Sequence, residues 1–130
     1  MTKGTKTTDI QTVAVVGLGL LGRGIATCFL GHGFRVIGCD TSSQARNEAL
    51  VYIDRGLHEM LAHAGMSSNL LDNWRDRYHS TGTFDDWPDC DFVVESVSES
   101  IETKRSVFQQ IERIVAPSVP IGSNTSALPI

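Results

Sequence analysis

The segment Gly17-Leu18-Gly19-Leu20-Leu21-Gly22 constrains this chain more than any other stretch. It follows an unbroken β-branched and apolar run, Thr12–Val16 (TVAVV), and precedes an apolar segment of helical character, Ile25–Leu30. A strand apolar on both faces belongs inside a parallel sheet that is covered on both sides. The G-x-G-x-x-G spacing alone is common; the buried strand before it and the helix after it make it specific. Gly17 permits the tight turn, Gly19 lets a pyrophosphate approach the backbone, and Gly22 lets the helix pack against the strand. The helix N-terminus offers unpaired N–H groups and a positive dipole end to phosphates, and Leu20 and Leu21 join the three glycines in the expected cofactor set.

A second strand, Arg35–Cys39 (RVIGC), ends at Asp40, 18 residues beyond Gly22. A carboxylate at that place accepts hydrogen bonds from the adenosine ribose hydroxyls and repels a 2′-phosphate. No Arg or Lys follows within Thr41–Ala45 to offset it, and Arg46 already belongs to the next helix. The reading is NAD rather than NADP. Asp40 also suits a helix-capping role, and the two roles are compatible.

The remaining chain alternates strands with helices. Thr41-Ser42-Ser43-Gln44 has capping-box spacing, and Ala49, Ile53, Leu57, Met60 and Ala64 follow at helical intervals up to a stop at Gly65. Leu70, Leu71, Trp74 and Tyr78 predict a second helix stacked on the first, with Trp74 as core between them. His79–Thr83 predicts a short strand, Trp87-Pro88-Asp89 a turn, and Asp91–Glu95 (DFVVE) another buried strand. Ser100–Val115 reads as a helix with Val107, Phe108, Ile111 and Ile114 on one face, ended by Pro117. Val119–Ser123 is the last strand. The fold class is α/β: a Rossmann-type doubly wound parallel sheet with a helical insert after the second strand. Residues 1–11 read as a flexible leader and 12–130 as the NAD-binding domain.

Composition narrows the function classes. At 130 residues, with 41% hydrophobic and 20% charged residues, the chain is sized for one domain with a sizeable core. Its net charge of −4 argues against nucleic acid or an anionic membrane as partner. No run approaches the roughly 20 apolar residues of a membrane helix. Met1–Gln11, rich in Thr and Lys, is no secretory signal. Cys28, Cys39 and Cys90 are odd in number and widely spaced, which fits buried small hydrophobes in the reducing cytoplasm better than disulfides or a metal site. His32, His58, His63 and His79 form no ligand set and read as surface residues; no metal is expected.

Three blocks resemble the N-terminal domain of the 3-hydroxyacyl-CoA dehydrogenase family. They are Val13–Asp40 (VAVVGLGLLGRGIATCFLGHGFRVIGCD), Phe92–Ile111 (FVVESVSESIETKRSVFQQI) and Ser123–Ile130 (SNTSALPI). Tyr52–Leu57 (YIDRGL) is similar to the family's helical insert. The resemblance implies that Glu99 and Lys104 lie beside the NAD, with Ser96 on the adjoining loop, and that Asn124 and Ser126 join the cofactor set. Ser126 is expected where nicotinamide and acyl substrate meet. The bare residues would make Glu99 and Lys104 a solvated pair at a helix start, and Glu95 a structural residue at a strand end.

The implied reaction is NAD-dependent oxidation of an (S)-3-hydroxyacyl thioester to the 3-oxoacyl thioester, as in fatty-acid metabolism. The family's catalytic His–Glu pair lies beyond the SNTS block, so no catalytic residue is expected within 1–130, and dimerisation belongs to the following helical domain. Two departures stand out. Ser96 replaces the usual Ala, and Leu57–Gly65 (LHEMLAHAG) lacks the Lys or Arg that would meet CoA phosphates, which leaves CoA or a carrier protein as the thioester's handle. A dehydrogenase of a free hydroxy acid and a non-catalytic NAD-binding module stay open as alternatives.

Overall fold

The computed structural model describes residues 10–65, 68–97 and 100–123. Five strands lie in the order β3-β2-β1-β4-β5: β1 (Thr12–Val16), β2 (Arg35–Cys39), β3 (Tyr78–Thr81), β4 (Phe92–Glu95) and β5 (Ile121–Ser123). Every pairing is parallel. The sheet is the doubly wound one that the alternating pattern predicts, and β1 is central because both its faces are apolar.

One face is covered by α1 (Leu20–Gly31) and α2 (Ser43–Ala64). There Val13, Val15 and Val36 pack with Ala26, Leu30, Ala49, Ile53, Leu57 and Trp74. On the other face, Ala14, Val16, Ile37 and Val93 pack with Ile111 of α4 (Ile101–Ile114). The period-2 alternation of β1 thus feeds two separate cores. No helix among the described residues is long and apolar enough to cross a membrane.

Several local expectations shift. The N-cap of α2 is Ser42, not Thr41: its hydroxyl accepts the Ala45 N–H at 3.1 Å. The cause is Asp40, whose Oδ1 accepts the Ser42 N–H at 2.9 Å and delays the helix by one residue. Gln44 turns instead to Glu48. Gly65 closes α2 in the left-handed conformation, at φ 66°, as its place after the periodic run suggests.

The second insert helix is shorter than the spacing predicts. It breaks into α3 (Ser68–Asp72) and a 3₁₀ turn over Trp74–Arg77. Tyr78 then enters β3 opposite Val36. Trp74 is core, 2% exposed, with its indole N–H donating to Asp54 Oδ1 at 3.1 Å. Arg77 anchors the break by donating to the carbonyls of Leu30, Phe34 and Leu70. The Tyr78 ring covers Gly38 so closely that a Cβ there would stand 2.1 Å from the hydroxyl.

Ile10 and Gln11, assigned to the leader, belong to the domain. Gln11 donates its N–H to Asp91 Oδ2, and its carbonyl accepts from Arg35. Cys28 is exposed rather than buried, whereas Cys39 is buried and Cys90 half-buried.

Candidate cofactor site

The β1–α1 turn is built from glycines with separate physical constraints. Gly17 has φ +96°, a conformation that side chains rarely adopt, and a Cβ on it would lie 2.8 Å from the Ser96 carbonyl oxygen. A Cβ on Gly22 would lie 1.8 Å from the Gly17 carbonyl oxygen, so the first turn of α1 seats directly on the loop. Gly19 differs. It is the N-cap of α1, and a Cβ there would meet no atom within 4 Å. The space beside Gly19 is open, as a backbone approached by a ligand requires.

Asp40 faces this turn. Its Oδ2 accepts the Leu18 N–H at 2.8 Å and its Oδ1 the Ser42 N–H. A carboxylate has about four acceptor sites, so capacity for ribose hydroxyls is left. Sequence reading set Arg46 aside inside the helix, yet its guanidinium reaches back to donate to the Asp40 carbonyl at 2.6 Å. No motif signals that return.

An open cleft of about 720 Å³ runs along the carboxyl edge of the sheet. Asp40, Thr41, Ser42 and Ala45 line one end, Gly17 and Gly19 the middle, and Ser96, Val97, Thr103, Val107 and Gln110 the other. Gly82–Asp85 form a further wall that sequence reading missed. That wall is held by Asp86, which accepts from Thr81 Oγ1 at 2.7 Å and from Thr83 Oγ1 at 3.3 Å, and by the Trp87 indole, which donates to the Thr83 carbonyl. The Thr81 hydroxyl beside Asp86 is the main cause holding that carboxyl below its ordinary value.

Leu20 and Leu21 stand at the start of α1 with side chains turned outward, 75% and 59% exposed. Ser96 follows β4 and donates its N–H to the Val16 carbonyl. Lys104 is not the solvated residue that its bare sequence suggests. It is 4% exposed and pairs with the fully buried Glu95 at 2.8 Å. Glu99, Asn124 and Ser126 lie outside the described residues.

The model of the 3-hydroxyacyl-CoA dehydrogenase NAD-binding domain matches residues 12–130. The chain belongs to the 3-hydroxyacyl-CoA dehydrogenase family. NAD is accordingly the cofactor of this domain, and the open Gly19 backbone and Asp40 carboxylate fit it. Among curated relatives, a probable 3-hydroxybutyryl-CoA dehydrogenase of Deinococcus radiodurans is 33% identical, over 89% of this chain and 41% of that protein. A peroxisomal fatty acid β-oxidation multifunctional protein of Arabidopsis thaliana is 27% identical, over 96% of this chain and 17% of that protein. The crystal structure of (S)-3-hydroxybutyryl-CoA dehydrogenase from Ralstonia eutropha superposes with a TM-score of 0.81 at 28% identity, covering 92% of this chain and 42% of that one. The chain therefore spans less than half the length of each of these relatives.

Proposed function

We propose that this domain grips NAD for the oxidation of an (S)-3-hydroxyacyl thioester to the 3-oxoacyl thioester, within a longer enzyme of fatty-acid metabolism. The observation that carries the reading is one continuous cleft from the Asp40 carboxylate, across the bare Gly19 backbone, to the turn after β4. In doubly wound sheets ligands bind outside the carboxyl ends of the strands where the strand order reverses. Here that point lies between β1 and β4. Asp40 takes the adenosine ribose, Gly19 and the α1 N-terminus take the pyrophosphate, and Ser96 and Val97 wall the nicotinamide end. Bound NAD supplies the hydride acceptor.

Glu99 and Lys104 are proposed to flank the cofactor, and Asn124 and Ser126 to lie where nicotinamide and substrate meet. No histidine stands among the described residues that line the cleft. By the family resemblance, we propose that the proton acceptor is the family's His–Glu pair and that it and the dimer interface belong to a helical domain. A second reading follows from Leu57–Gly65, which carries no Lys or Arg: a carrier-protein thioester or a short free hydroxy acid replaces CoA. We place the protein in the cytoplasm, a compartment consistent with its three free cysteines, although the Arabidopsis relative is peroxisomal by name.

The test joins calorimetric titration of NAD and NADP with steady-state rates of the full-length enzyme. The substrates are 3-hydroxyacyl-CoA, carrier-protein thioesters and free 3-hydroxy acids. Tighter NAD binding with thioester turnover supports the reading; preference for the free acids overturns the thioester, and absent NAD binding overturns the whole.

A further inference from the structure

The ion pair at the end of β4 does something that the sheet does not require. Glu95 is fully buried and Lys104 nearly so. Taking two charges out of water costs more than their attraction commonly returns, and an apolar pair of equal volume is often at least as stable. This pair nevertheless stands at the carboxyl end of β4, hydrogen-bonded to Val97 of the cleft wall.

Three donors converge on the one carboxylate. Ser123 Oγ donates to Oε1 at 2.9 Å, while Lys104 Nζ and the Val97 N–H both donate to Oε2. The Lys104 ammonium also donates to the Val97 carbonyl. Both backbone groups of Val97 are therefore tied to the pair. One residue earlier, the Ser96 N–H donates to the Val16 carbonyl at 2.8 Å, and the Ser96 carbonyl lies against Gly17.

We propose that Glu95 is a positioning residue for the nicotinamide half of the bound dinucleotide. It fixes the 95–97 turn, the ammonium of Lys104 and the end of β5 in a single arrangement opposite the glycine turn. The carboxylate charge offsets the buried Lys104 ammonium. Glutamine could keep its amide oxygen on Lys104 Nζ and the Val97 N–H and turn its NH₂ to the Ser123 hydroxyl, but it carries no such charge. The adenosine half, at Asp40, Ser42 and Ala45, lies across the glycine turn and shares no hydrogen bond with Glu95 among the described residues. Binding of the two halves is thereby separable.

The inference rests on the NAD reading above, and its test distinguishes the two. NAD and AMP are titrated calorimetrically into the 130-residue chain and its Glu95→Gln and Ser123→Ala variants, with thermal melts alongside. Glu95→Gln should weaken NAD by about tenfold or more and leave AMP within about twofold, because it removes the counter-charge of a buried ammonium at one end of the ligand. Ser123→Ala, which deletes one hydroxyl from a half-buried site, should weaken NAD by a smaller factor, again sparing AMP. If Glu95→Gln does not fold, Ser123→Ala decides alone. Equal losses for NAD and AMP, or NAD affinity unchanged in the variants, would overturn the proposal and make the pair merely structural. A parent chain that binds AMP but not NAD would overturn the NAD reading and this inference together.

Discussion

Leu18 and Asp40 are joined across the glycine turn, the backbone N–H of the first donating to the carboxylate of the second at 2.8 Å. Asp40 thus braces the glycine loop beside which it is proposed to bind the cofactor. Asp40→Ala should weaken NAD by about 1–3 kcal/mol, the scale of losing hydrogen bonds to a charged acceptor. It should also narrow the gap to NADP, because the repelling charge goes while the Arg46 guanidinium stays beside residue 40. Calorimetry with both cofactors checks this. An unaltered NAD-to-NADP ratio would remove Asp40 from cofactor selection.

Gly19 and Gly22 should respond in opposite ways. Gly19→Val adds a side chain to open space, so the fold should survive while NAD binding is abolished. Gly22→Ala drives a methyl into the Gly17 carbonyl and should cost about 1–3 kcal/mol or more of stability. Circular dichroism melts paired with NAD titration separate the effects. A folded Gly19→Val variant with normal NAD affinity would move the site elsewhere.

The cysteines should divide by burial. Burial pushes the Cys39 and Cys90 thiols up to about 11 from an ordinary 9.0, while Cys28 is exposed. A chromogenic disulfide reagent at pH 8 should label Cys28 quickly and the other two only on unfolding. The raised values mean that the native state favours the neutral thiol. That contribution is complete below pH 9 and drains away as pH climbs toward 11. Melting temperatures over that range should fall less steeply in Cys39→Ala, compared with its own value at pH 8.

The 130-residue chain should bind NADH yet fail to reduce acetoacetyl-CoA. No histidine lines the cleft among the described residues, and chemistry without a placed general base forgoes roughly 10²–10⁴-fold of rate before substrate grip is considered. NADH absorbance followed over time with the purified chain is sufficient. Turnover near that of an ordinary enzyme would mean that the proton acceptor lies within residues 1–130.

Sequence periodicity carried the β1-turn-α1 unit, the place of Asp40 at the end of β2 and the parallel sheet, because those depend on local spacing and on apolar runs covered from both sides. It failed where distant groups compete for the same atoms. The capping position moved because Asp40 captured the Ser42 N–H, and the second insert helix broke because Tyr78 found a strand partner in Val36. Lys104 looked like a solvated residue since its partner lies on another element; nothing within one helix reveals that Glu95 waits behind it. The Gly82–Asp85 wall escaped notice for a similar reason, being shaped by Asp86 and Trp87 rather than by any motif of its own.

Gly38 and Tyr78 carry an evolutionary consequence. With the phenol resting where a Cβ would sit, 2.1 Å from its hydroxyl, neither position is free to drift alone. A homologue that acquires alanine or anything larger at the first must trim the second, so the two columns should covary. Gly38→Ala by itself should be a damaging step, and Tyr78→Val the permissive change that opens the way for it.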